Sequence, residues 1–89
     1  MTSRALRIET ALRAAFAPLS LAVADESALH AGHAGASPGG ETHYQVAMES
    51  GHFIGMGRLA RSRAVHAALA GEFSSGLHAL SLRLRAPGE

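Results

Sequence analysis

The sequence predicts an α+β fold in which helices cover one face of a three-stranded sheet, and three observations predict it. Apolar residues recur at helical spacing over 3–16 and 58–72. They alternate at strand spacing over 19–25, 42–48 and 77–85. The resulting order is helix, strand, strand, helix, strand. The second helix then serves as a crossover between the last two strands, which makes that pair parallel and the sheet mixed.

Taken in order, the first helix starts at Ser3, whose hydroxyl can cap it, and stops at Pro18. Ala5, Ile8, Leu12, Ala15 and Phe16 form its apolar stripe, and Glu9 with Arg13 makes an i,i+4 pair on the wet side. In the first strand Leu19, Leu21 and Val23 face one way. Residues 26–40, rich in glycine and small residues, form a long loop that carries His30 and His33. In the second strand Tyr44, Val46 and Met48 share one face, with His43, Gln45 and Ala47 on the other. The second helix buries Val65, Leu69 and Phe73 beside Ala68. The last strand places His78, Leu80, Leu82 and Leu84 on a common face. No internal repeat is present.

The chain has 89 residues, which suits one domain spanning 1–89. Nineteen of its apolar residues are alanine and only 23 are large, so the core is thin. No apolar run reaches the roughly 20 residues that a membrane span requires. Met1-Thr2-Ser3-Arg4 shows no apolar signal segment, so the expected location is cytoplasmic. The absence of cysteine excludes disulfides and any thiolate ligand from this chain. A formal charge of +1 gives no bulk attraction to nucleic acid.

Two constellations could carry chemistry. The first is histidine, a common ligand of zinc, copper and iron. His30-x-x-His33 has a spacing that can chelate one metal, and His43 could add a third nitrogen. His78 has a plainer reading, a half-buried ring satisfied by a backbone carbonyl. His52 and His66 read as surface or helix-flank residues. The second is the arginine cluster Arg58, Arg61 and Arg63 around the first turn of the second helix. Positive charge there opposes the helix dipole, so the cluster either meets an anion or forms a solvated face. No P-loop, dinucleotide fingerprint, nucleophile elbow or zinc-protease motif occurs. Asp25 and Glu26 point to opposite faces of an extended chain and form no acid/base pair. Ser27 has no base placed by sequence, so an enzyme is not expected.

Several stretches resemble the BolA family: Arg7-Ile8 through Phe16-x-Pro18, Val23-Ala24-Asp25-Glu26-Ser27, residues 30–44, Phe53-Ile54-Gly55, residues 61–73 and residues 76–82. The resemblance implies a class II KH-like fold, α-β-β-α-β. The phosphate-clamping G-x-x-G loop of KH domains is missing; the nearest glycines are Gly55-Met56-Gly57. The family also implies a role as non-catalytic partner of a monothiol glutaredoxin, with a [2Fe–2S] cluster bridged between the subunits. Glutaredoxin and glutathione would supply thiolates. This chain would supply His78, from the H-A-L motif, and a loop histidine, His30 or His33. Where the family usually carries Arg-His-Arg, this chain has Arg61-Ser62-Arg63.

Iron–sulfur trafficking or iron regulation is therefore the expected function. The alternative is a DNA-binding transcriptional regulator using Arg58, Arg61 and Arg63. Alone, the chain is expected to be a monomer or weak homodimer.

Overall fold

A computed structural model describes residues 3–27 and 40–89. Helix α1 (Arg4–Phe16) is followed by strands β1 (Ser20–Asp25) and β2 (His43–Glu49). A 3₁₀ turn at Gly51–Phe53 leads to α2 (Arg58–Ala68), α3 (Ala70–Ser74) and β3 (Ala79–Arg85). The sheet order is β1-β2-β3. β1 runs antiparallel to β2, with Val23 opposite Val46, and β2 runs parallel to β3, with Val46 opposite Leu82. The α+β class, the mixed sheet and the crossover are as the sequence implied.

α1 forms because its stripe has helical period and its ends are satisfied. Ser3 Oγ accepts the Leu6 N–H at 3.2 Å, and Ala17 closes the helix in the left-handed region with its N–H on Arg13 O at 3.1 Å. Arg13 meets Glu9 at 3.1 Å, the expected pair, on an exposed face where it contributes only tenths of a kcal/mol. Ser50 is fully buried and links three elements. Its hydroxyl donates to Phe16 O at 2.6 Å, accepts from His52 N–H at 3.1 Å, and its own N–H donates to Arg85 O.

The core lies between the helices and one sheet face. Ile8, Leu12 and Phe16 from α1 meet Tyr44, Val46 and Met48 from β2, with Phe53, Val65 and Leu69 closing the layer. Each fully buried large side chain contributes about 1.5–3 kcal/mol relative to exposure. The opposite face, carrying Ala22, Ala24, Ser81 and Arg83, is exposed.

Three expectations need correction. Leu19 is 69% exposed, not part of the buried face. It precedes the first strand residue just after Pro18, where the chain is leaving the helical layer. The second helix is not continuous over 58–72. Leu69 has ψ 15°, well away from the helical value, and separates α2 from α3 while keeping its side chain in the core. His78 lies one residue before β3 and is exposed, so it does not share the half-buried position of Leu80, Leu82 and Leu84.

A buried ionic cluster pins α1 to α3. Arg4 is 7% exposed; its Nη1 donates to Glu72 Oε1 and Ser75 Oγ, both at 2.9 Å, and its Nη2 to Ser75 O at 3.1 Å. Arg7 adds bonds from Nε and Nη2 to the same carboxylate. The hydrogen bonds from Arg7, with help from Arg4, hold the Glu72 carboxyl below its usual range despite partial burial. Gly76 belongs to this cluster by necessity. Its φ is +129°, and a Cβ there would stand 3.1 Å from Arg4 Nη2.

Candidate functional site

Three stretches far apart in the chain, Asp25-Glu26-Ser27, Glu41-Thr42-His43 and His78-Ala79-Leu80, meet at one end of the sheet. Asp25 Oδ1 accepts the Ser27 N–H at 2.9 Å, folding the chain back as β1 ends. Burial works against the Asp25 carboxylate, but the Ser27 bonds outweigh it and hold the group below its usual range. Burial, reinforced by that carboxylate, pushes the Tyr44 phenol up to about 12. Ser27 Oγ in turn accepts two backbone donors, Thr42 N–H at 2.9 Å and His43 N–H at 3.1 Å. This ties the end of β1 to the start of β2. Gly40 passes Ser27 with φ +69°, where a Cβ would lie 3.6 Å from the Ser27 Cβ. Ser27, which the sequence left without a catalytic base, is thus a backbone clamp.

Thr42 carries the connection onward. Its carbonyl accepts the N–H of both His78, at 2.8 Å, and Ala79, at 3.0 Å. Its hydroxyl bonds His43 Nδ1 at 2.8 Å. The parallel register places His43 opposite Ala79, so β2 and β3 begin at the same end. The two rings therefore meet with centroids 5.4 Å apart and planes tilted by 50°. His43 is 6% exposed, whereas His78 is exposed to solvent. A threonine that fixes one ring nitrogen orients the imidazole, as outer partners of metal-bound histidines commonly do.

Sequence reasoning placed His43 only as a third nitrogen beside His30 and His33, and missed its pairing with His78. The signal was the parallel strand pair, once its register is known. His30 and His33 lie outside the described residues. Among the described residues, no group of three His, Cys, Asp or Glu side chains gathers as a metal site. His52 and His66 are exposed, as expected; one lies edge-on to Phe16 and the other stacks on Phe73.

The three arginines of α2 do not form one patch. Arg61 is 8% exposed. Its Nε donates to Met56 O at 2.8 Å, and its two terminal nitrogens grip the Glu89 carboxylate at 2.5 Å each. The anion that this arginine meets is thus internal, and it holds the Glu89 carboxyl down at about 2. Arg58 and Arg63 are exposed. Five residues apart on a helix, they project about 140° from each other. Arg61 turns inward because it lies four residues before Val65 on the buried side of α2, whereas Arg58 and Arg63 lie on exposed positions.

The fold and the signatures at this end of the sheet define a class of small α+β protein, and comparison with known proteins gives the family. The family model described as BolA-like protein matches residues 12–89, and the chain belongs to that family. It is 46% identical over 83 residues to a Sinorhizobium sp protein described by its place in the cobS 5' region, covering 92% of this chain and 89% of that one. It is 45% identical over 76 residues to the DNA-binding transcriptional regulator BolA of Escherichia coli K12, covering 85% of this chain and 69% of that one. The chain spans only 57% of human BolA-like protein 1, at 43% identity. Among solved structures, the BolA domain of SufE1 from Arabidopsis thaliana superposes with a TM-score of 0.87 at 38% identity, covering 98% of this chain and 95% of that domain. A class II KH-like description is compatible with this architecture. No described helix is long and apolar enough to cross a membrane.

Proposed function

We propose that this chain is a non-catalytic partner of a monothiol glutaredoxin and co-ligates a [2Fe–2S] cluster bridging the two proteins. The observation that supports it most is the His43–His78 pair at the start of β2 and β3. The donor set suits such a cluster. Two imidazoles stand side by side, one of them exposed to an approaching protein, and the chain has no thiol, so thiolates must come from the partner and glutathione. His78 would be the principal ligand. The second would be His43, or the loop residues His30 or His33. When bound, a cluster with imidazole on one iron has a raised potential, as in Rieske centres, and ligation that protons can contest near neutrality.

The chain's own part is positional. Thr42 holds the His43 ring by Nδ1 and the His78 backbone by its carbonyl, so both histidines are presented by one residue. Ser27 anchors that residue to β1. Transfer or sensing fits this arrangement, in a cytoplasmic setting or in organelles such as those in the names of the Arabidopsis relatives.

The test is to mix the chain with a monothiol glutaredoxin, glutathione, iron and sulfide, and to record visible absorption and circular dichroism. A spectrum distinct from that of glutaredoxin alone is expected with the wild type. It should be lost in His78→Ala, whose exposed side chain can go without unfolding the protein, and kept in His52→Ala. Changes at His43, His30 and His33 then identify the second ligand. An unchanged glutaredoxin spectrum with wild type overturns the proposal.

DNA binding is a second reading, supported by the name of the E. coli relative and by exposed Arg58 and Arg63. Arg61 adds nothing to it, because its guanidinium is already engaged by Glu89.

A further inference from the structure

The outer edge of β3 is open, and its chemistry specifies an occupant. β3 is an edge strand, paired only to β2. Ala79 N–H donates to Thr42 O, and Arg85 O accepts from Ser50 N–H, both at 3.0 Å, so these odd-numbered residues turn their peptide groups toward β2. In a parallel strand alternate residues point the other way. The N–H and C=O groups of Leu80, Leu82 and Leu84 therefore face outward. Arg61 Nη1 reaches the Leu84 carbonyl at 3.4 Å and blunts that end. Among the described residues no such cover reaches Leu80 or Leu82, although natural edge strands are usually protected.

A groove of about 540 Å³ runs along this edge between β3 and α2. On the helix side its walls are Leu59, 62% exposed, and the half-buried Leu80, Leu82 and Leu84, with Arg58 at its mouth. On the open side of the sheet stands Arg83, which is exposed and forms no ion pair among the described residues.

We propose that this edge docks an extended acidic segment of a partner protein, which adds to β3 as a fourth strand. Its alternate apolar side chains enter the leucine groove, and the carboxylates between them lie on the open face of the sheet beside Arg83. A second copy of the chain fits poorly, because antiparallel edge-to-edge pairing centred on Leu82 would make the two Arg83 side chains, which form no ion pair among the described residues, diagonal neighbours on one face. Single-stranded nucleic acid lacks a stacking platform here. Phe16, Tyr44 and Phe53 are buried, and no aromatic residue lines the groove.

The test uses the full chain without iron, glutathione or glutaredoxin, so the cluster reading can fail without affecting it. A fluorescein-labelled peptide alternating glutamate and valine is titrated by anisotropy, and amide hydrogen exchange is followed by NMR. Saturable binding is expected, with slowed exchange at Leu80 and Leu82. Arg83→Glu should weaken it at least about fivefold, and a lysine–valine peptide should not bind. The proposal is overturned by absence of saturable binding, or by binding that leaves the Leu80 and Leu82 amides unprotected or is indifferent to Arg83→Glu. Self-association that protects the same amides without peptide overturns it in favour of a second copy. Protection of those amides by a single-stranded oligonucleotide that outcompetes the peptide overturns it in favour of nucleic acid.

Discussion

Glu72→Ala is expected to lower folding stability by about 3 kcal/mol, read as a shift of the urea midpoint at neutral pH. Glu72 is the sole carboxylate within ion-pair distance of the Arg4 side chain among the described residues, and that guanidinium is almost wholly buried. Removing one partner of such a pair leaves a charge out of water without compensation, which typically costs 3–5 kcal/mol. The lower end applies because Arg4 keeps the Glu72 and Ser75 carbonyls and the Ser75 hydroxyl. Against the roughly 4–13 kcal/mol available to a chain of this size, the loss is large. The pH dependence has a definite sign. The Glu72 carboxyl is depressed below its ordinary 4.5. Its contribution is therefore complete above that value and is lost as pH falls through the lower, folded-state value. Glu72→Gln should flatten the acid limb of the stability profile below about pH 4.5, and a wild-type slope retained in that variant would place the dependence elsewhere.

Ser27→Ala is expected to cost about 2–6 kcal/mol, because one hydroxyl accepts two backbone donors that would then be buried without a partner, at about 1–3 kcal/mol each. Its distinguishing consequence is local. Thr42 and His43 lose the hydroxyl that ties their N–H groups to the end of β1, while the Glu26 N–H on His43 O remains, and Thr42 also holds the backbone of His78. Hydrogen exchange should accelerate at Thr42, His43 and His78 before it does in α1, and the glutaredoxin-dependent spectrum should weaken in step. A variant with global loss of protection but an unchanged ratio between these amides and those of α1 would show that Ser27 serves stability alone.

Much of the fold was legible because it rests on local period. Ile8, Leu12 and Phe16 repeat at helical spacing, Tyr44, Val46 and Met48 at strand spacing, and a helix between two strands requires a crossover. The misread elements are those governed by neighbours absent from the local pattern. Leu19 alternates correctly but has no helix above it. The helical stripe of Val65, Leu69 and Phe73 continues across a break, because the ψ of 15° at Leu69 interrupts the helix without exposing the side chain.

The site divides in the same way. His78 stood out within its motif, and cysteine's absence already required any thiolate to come from elsewhere. The order of helices and strands, the parallel pairing and the candidacy of the histidines as ligands were readable from the chain, since these depend on residue type and on spacing within one segment. Tertiary structure alone decided that Glu89 claims Arg61, that Ser27 clamps Thr42, and that His43 stands beside His78. Each of these depends on which residues from distant segments come within a few ångströms, and strand register and side-chain reach set those distances.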